Sequence, residues 1–253
     1  NRLEISIGII GLGNMAKAII SPLLERGEYS PQNVLGIVGG RSSIAPALND
    51  LPKPIKVLSS EDSLSKEVWK APLKLLAVKP QQLSKIRESV SSCQLKDQLP
   101  KPLLISVLAG ITLKSLKKAF PGHTCVRAVP NTPSLIGQGL TGLAWENDIT
   151  FDQKQVVRKI FEPISEIYEL EEQKLDSFLA LTSSGPAYIA LVVEAMADGA
   201  VAAGLPRHLS NQLAHKTLSG TASLIREKRL HPAELKDMVA SPAGTTISAL
   251  RHL

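Results

Sequence analysis

Ile5-Ser6-Ile7-Gly8-Ile9-Ile10-Gly11-Leu12-Gly13-Asn14-Met15-Ala16 opens the readable pattern of this chain. A short β-branched run ends in glycines and passes directly into helix-patterned sequence at residues 15–26. Strand, glycine turn and helix in that order form the G-x-G-x-x-A version of the dinucleotide fingerprint. Gly11 permits the tight turn. Gly13 lacks a Cβ, so a pyrophosphate can approach the backbone. Ala16 lets helix and strand pack closely. The helix start then offers N–H groups to phosphates, and Leu12, Asn14 and Met15 complete the candidate cradle.

Working outward, further strand candidates lie at residues 34–38, 73–78, 103–107 and 124–129, with helical pattern between them, as at 81–90. This alternation reads as a parallel, doubly wound α/β sheet of Rossmann type. Residues 140–144 and 167–170 look like two more strands. After about residue 172 the texture becomes wholly helical. Residues 188–203 are apolar almost all round, and Gly204-Leu205-Pro206 ends that helix. Residues 210–225 form another, His231-Pro232 opens a short third, and a last one starts near Thr246, with Ile247, Leu250 and Leu253 in register. The expected division is 1–172, a nucleotide-binding domain, and 173–253, a helical domain. The helical part is too short to cover so apolar a helix by itself, so a second copy of the chain is expected to cover it.

Composition fits this reading. The 253 residues are 43% hydrophobic and 21% charged, as in an ordinary globular protein. No uninterrupted apolar run approaches the roughly 18 residues of a membrane helix, and no membrane partner is expected. The net charge of +6 is spread along a chain with 4% aromatics. It reads as a solvated basic surface suited to anionic ligands rather than a nucleic-acid groove. Cys93 and Cys125 have no ligand spacing and the five histidines are scattered, so neither a disulfide framework nor a metal site is expected. Two plain thiols suit a reducing, cytoplasmic setting. The chain begins at Asn1 and is taken as trimmed, which leaves a mitochondrial or plastid address open.

The candidate cofactor residues follow the strand ends. The second candidate strand leads to Gly39-Gly40-Arg41-Ser42-Ser43, with no acid for a ribose 2′-hydroxyl. Arg41 can fork onto a 2′-phosphate, aided by Ser42 or Ser43, which favours NADPH over NADH; the alternative is an exposed loop arginine. Ala77-Val78-Lys79-Pro80 and Ala109-Gly110 end the next two strands. Their small residues can pass a nicotinamide ribose, and Lys79 needs no catalytic charge. In Pro130-Asn131-Thr132-Pro133, Asn131 either faces the nicotinamide or belongs to a rigid turn. Ser241-Pro242-Ala243-Gly244-Thr245-Thr246 is a candidate carboxylate cradle before the last helix. No HExxH, G-x-S-x-G or paired Cys/His motif is present.

Together these segments resemble the Δ1-pyrroline-5-carboxylate reductase family. The most specific matches are 231–247 and the 130–133 loop. The resemblance implies an N-terminal Rossmann domain, a helical domain interlocked with that of a second chain, and a homodimer or larger ring of dimers. It implies NADPH-dependent reduction at a CH–NH bond, giving L-proline. Thr246 matches the threonine that bonds the substrate ring nitrogen, and Gly244 and Thr245 match the groups that hold its carboxylate. Glu172 aligns with an acid near the substrate. The substrate is implied to lie between the cofactor domain and the loop before the last helix.

This chain has Thr182-Ser183-Ser184-Gly185-Pro186 where the family has Ser-Gly-Ser-Gly-Pro, and Ala243 where the family has glycine. The family also continues beyond Leu253. Rivals are a reductase of a related cyclic imine, a β-hydroxyacid dehydrogenase, or a non-catalytic NADPH-binding oligomer. The second normally carries a catalytic lysine in a segment that here (184–195) contains none. The third would not need the 241–246 loop.

Overall fold

The computed structural model describes residues 5–91 and 100–252; Cys93 and Leu253 lie outside them. The chain divides into two compact units, Asn1–Ser184 and Gly185–Leu253. In chain order the first unit contains β1 (Ile7–Ile10), α1 (Asn14–Glu25), β2 (Val34–Val38), α2 (Ile44–Leu48), β3 (Lys56–Ser59) and β4 (Leu73–Leu76). It continues with α3 (Leu83–Ser91), β5 (Leu103–Ser106), α4 (Leu113–Ala119), β6 (Thr124–Pro130), β7 (Gly139–Trp145), α5 (Phe151–Phe161), β8 (Ser165–Glu169) and α6 (Leu175–Thr182).

The strands form one eight-stranded sheet in the order β3-β2-β1-β4-β5-β6-β7-β8. β1 pairs in parallel with β2 on one side and β4 on the other. The strand order reverses there, and a crevice opens beyond the carboxyl ends of the strands. Apolar cores cover both faces. α1 turns Ala16, Ile19, Ile20, Leu23 and Leu24 inward, the i, i+3, i+4, i+7 spacing of a core-facing helix, against Ile7, Ile9 and Leu75. The opposite face holds Ile10, Ile37, Leu76, Leu104, Trp69 and Phe120.

The sheet is the expected parallel, doubly wound one with a single reversal: β7 runs antiparallel to β6. The reason is chain length. A parallel return needs a crossover of about a dozen residues or more, whereas β6 and β7 are joined only by the short turn around Thr132–Ile136. β8 is parallel to β7 because α5 supplies a full crossover. α6 packs Leu175, Phe178 and Leu179 on Val129 and Ala144, so this helix belongs with the sheet.

Trp69, Phe120 and His123 form an aromatic cluster in the first unit. His123 is buried, and neither ring nitrogen has a hydrogen-bond partner. Burial, reinforced by the Lys74 charge, lowers its pKa to about 3. The native protein therefore refuses a proton that the unfolded chain takes up below its ordinary pKa of 6.5. Stability is unaffected above that pH and falls by about 1.4 kcal/mol per pH unit below it, until native His123 itself titrates. Denaturant unfolding at pH 7.5, 6 and 5, at fixed protein concentration, should show this slope, and His123→Leu should flatten it. Equal slopes in both proteins would contradict the assignment. Burial likewise pushes the Cys125 thiol up to about 12, which makes it an inert core residue.

The second unit is helical: α7 (Gly185–Ala202), α8 (Arg207–Lys228), α9 (Pro232–Val239) and α10 (Thr245–Leu250). α7 and α8 pack through Val193, Ala197 and Ala214, with Leu218 beside them. That small seam leaves Tyr188, Ile189, Leu191, Val192 and Met196 exposed on this chain alone. His231 caps α9, its Nδ1 accepting from the Ala233 N–H and its own N–H donating to Glu234 Oε2. One stretch, Glu172–Ala202, is long and apolar enough by length and composition to cross a membrane. Acidic and hydroxyl residues punctuate it, so it contains no uninterrupted apolar run of that length.

Candidate active site

The crevice is built by the first glycine turn. Gly11 has φ +92°, and a Cβ there would lie 2.6 Å from the Ala77 carbonyl oxygen, so only glycine fits. Its N–H donates to the Ile37 carbonyl, and the Ala77 N–H donates to that of Ile10. These bonds tie the ends of β1, β2 and β4 into one rim. Gly13 sits at the cap position of α1, and nothing lies within 4 Å of where its Cβ would be. The start of α1 therefore faces open space with unpaired N–H groups and the positive end of the helix dipole.

A cleft of about 670 Å³ lies over this rim. Gly11, Leu12, Gly13, Asn14, Ala77, Val78 and Lys79 all line it. Ala16 is fully buried and Met15 half-buried in the packing of α1 on the sheet, and neither lines the cleft. Four lysines, Lys17, Lys66, Lys79 and Lys85, line it and, among the described residues, no carboxylate does. Such a wall suits an anion. Lys17 is held at the rim by two 2.8 Å bonds to the carbonyls of Pro46 and Asn49. An open glycine cradle, a helix start and a cationic wall fit a dinucleotide. Ser43, a candidate from the sequence, lines the cleft as well, whereas Ser60, Ser65, Lys66 and Lys85 carry no sequence signal, because they come from scattered turns that the sheet assembles.

Arg41 and Ser42 form a 3-10 turn after β2, just outside the cleft lining, while Ser43 lines it. The Arg41 side chain is 76% exposed and its Nη2 lies 3.4 Å from Asp62 Oδ1. Pro80 opens a turn in which the Lys79 N–H donates to Gln82 Oε1. Ala109 and Gly110 form an exposed turn after β5, with Gly110 at φ +72°, outside the cleft lining.

Two candidate residues carry structural bonds. Asn131 is buried; its amide donates to the Thr182 carbonyl and its Oδ1 accepts from the Leu140 N–H, knitting β6, β7 and α6 together. Glu172 Oε1 accepts from the Leu113 N–H at the start of α4 and from Arg127 Nη1 at 3.0 Å. Arg127 is almost wholly buried, so this carboxylate compensates a buried cation.

In the second unit, Ser241–Thr246 folds tightly. The Gly244 N–H donates to the Ser241 carbonyl at 3.0 Å, and a Cβ on Gly244 would lie 2.4 Å from Ser241 Oγ. Ala243 holds φ +59°, a left-handed conformation that costs a β-carbon about 1 kcal/mol. Gly244 caps α10 without a side chain. Thr245 and Thr246 are the first two helical residues, whose N–H groups have no acceptor four residues back. Thr246 is half-buried and does not occupy the capping position. Among the described residues no group of three or more His, Cys, Asp or Glu could hold a metal ion.

Comparison with known proteins agrees with both units. Residues 6–110 match the family described as NADP oxidoreductase, coenzyme F420-dependent, and residues 172–253 match that described as pyrroline-5-carboxylate reductase dimerisation. A pyrroline-5-carboxylate reductase of Synechocystis is 40% identical over 252 residues, covering 99% of this chain and 90% of that protein. The solved pyrroline-5-carboxylate reductase of Coxiella burnetii is 30% identical, covering 98% and 89% of the two chains with a TM-score of 0.80. That of Plasmodium falciparum, solved with NADP bound, is 26% identical and covers 100% and 90%, again with a TM-score of 0.80. A relative this similar along nearly the whole chain, on a fold shared with solved members, decides the assignment: the chain belongs to the pyrroline-5-carboxylate reductase family.

Proposed function

We propose that this chain reduces Δ1-pyrroline-5-carboxylate to L-proline, the last step of proline synthesis, with NADPH preferred over NADH. Its family makes it a nicotinamide-dependent oxidoreductase; the substrate and the cofactor preference are our reading. One observation carries it: relatives named pyrroline-5-carboxylate reductase match along nearly the whole length, and the dimerisation-family match spans residues 172–253. NADPH, when bound, supplies the hydride. Gly11, Leu12, Gly13 and Asn14 would hold its pyrophosphate, with Met15 and Ala16 setting the helix behind them. Arg41 and Ser42 would take the 2′-phosphate, and Ala77, Val78, Lys79, Pro80, Ala109 and Gly110 the nicotinamide side. Asn131 would meet the cofactor only with the amide hydrogen not given to Thr182.

The substrate carboxylate would rest on the 244–246 turn. The Gly244 N–H is already donated to Ser241, so the donors would be those of Thr245 and Thr246, with Gly244 giving close approach. The Thr246 hydroxyl would align the ring nitrogen. A protonated imine is already a good electrophile, so orientation is the protein's main contribution. Glu172 would act through Oε2, since Oε1 is held by Arg127 and Leu113. The exposed apolar face of α7 would be covered by a second chain in a homodimer, or in a ring of dimers. The inert Cys125 thiol suits the cytoplasm.

The direct test is NADPH oxidation with pyrroline-5-carboxylate; a protein that binds NADPH but leaves this substrate unreduced would end the proposal. A second test concerns Arg41. Because its side chain is largely exposed, its contact with a 2′-phosphate is worth about 1 kcal/mol. Arg41→Ala should raise the NADPH KM roughly fivefold to tenfold and leave that for NADH unchanged. Equal changes for both cofactors would remove Arg41 from this role.

A further inference from the structure

We propose that Asp62, beside the cofactor cleft rather than in its lining, is a specificity-determining residue: its carboxylate occupies the Arg41 guanidinium and narrows the preference for a 2′-phosphate. The proposal rests on the nicotinamide-cofactor reading given above. In the usual fingerprint an acid at the end of the second strand accepts from the ribose 2′-hydroxyl. Here that strand end carries Arg41, but the neighbouring strand end returns an acid to the same rim. β3 lies beside β2 in parallel register, so the turns that follow the two strands are adjacent. Asp62 Oδ1 lies 3.4 Å from Arg41 Nη2, and Oδ2 accepts from the Ser59 N–H at 2.9 Å. The acid side chain is 26% exposed against 76% for the arginine. The carboxylate is thus the fixed member of the pair and the guanidinium the mobile one.

A phosphate arriving at Arg41 displaces a weak, solvent-exposed ion pair. It cannot displace the carboxylate itself, which the backbone pins. The residual repulsion between two anions about 6 Å apart, at the effective dielectric constant of about 40 to 80 that suits so exposed a site, corresponds to roughly a threefold to tenfold loss of affinity. A free 2′-hydroxyl suffers no such penalty and can donate a hydrogen bond to Asp62 Oδ1, since Oδ2 is held by the Ser59 N–H. Asp62 therefore lets one cleft use both dinucleotides with a smaller difference between them.

The experiment is titration calorimetry of the assembled full chain with 2′,5′-ADP and with 5′-ADP. Asp62→Asn keeps the shape and an acceptor for the Ser59 N–H. It should tighten 2′,5′-ADP binding roughly threefold to tenfold at low salt, less at high salt, and leave 5′-ADP equal or weaker. In an Arg41→Ala background the same substitution should give a smaller gain. Unchanged or weakened 2′,5′-ADP binding in Asp62→Asn, with wild-type melting, overturns the proposal. Wild-type protein that binds neither nucleotide overturns the cofactor reading beneath it.

Discussion

Thr246→Ala should lower kcat/KM for pyrroline-5-carboxylate by roughly 10- to 100-fold, the range for losing one good hydrogen bond made in the transition state. The melting temperature should barely move. A threonine at the start of a helix often caps it, and an alanine there would then cost about 1 kcal/mol. In this chain Gly244 holds the cap position and Thr246 is the second helical residue, so that contribution is absent. Thr246→Ser should keep most activity, because the hydroxyl is what matters. NADPH affinity should stay near wild type, since the glycine cradle belongs to the other compact unit. Steady-state kinetics and a thermal melt on the three proteins separate the roles. An alanine variant that melts lower yet turns over normally would refute the substrate contact.

Val192→Glu should abolish assembly. Val192 is 51% exposed on the isolated chain, among Tyr188, Ile189, Leu191 and Met196 on the same helix. Only Val193 and Ala197 of α7 are covered within the chain. So large an apolar face is not stable in water; on the proposed assembly a second copy would close over it and bury the position. A lone carboxylate buried there costs several kcal/mol, a large part of the stability of a typical domain. The variant should appear in light scattering as aggregate or dissociated chain and should have lost activity. A wild-type protein that is a stable, active monomer would defeat the idea, as would a variant that assembles normally.

Much of this molecule is legible in residue order alone. A β-branched run followed by Gly11-Leu12-Gly13 specifies strand, turn and helix locally, because glycine admits a positive φ and lacks a Cβ whatever surrounds it; that a Cβ at Gly11 would strike the Ala77 carbonyl is known only from the fold. The apolar spacing of α1 and the all-round apolarity of α7 are likewise local patterns, and each states which face must be covered. What residue order does not contain is which turns become neighbours. β3 is four residues long, at the sheet edge, and has too little pattern to read. Yet it brings Asp62 to Arg41 and Ser60 to the Gly39 carbonyl. α4 and α5 have local start signals, the caps Thr112 and Thr150, but the sequence pattern behind those caps does not single them out. The reversal at β7 follows from connection length, but only pairing with β6 reveals it. Asn131 and Glu172 show the same limit. Their side chains could face a ligand by type, and only the packed sheet shows them bonded to Thr182, Leu140, Arg127 and Leu113. Local conformation is set by the φ preferences and burial pattern of a few adjacent residues. The partners of a polar side chain are set by which strand ends the sheet brings together, and that is a property of the whole fold.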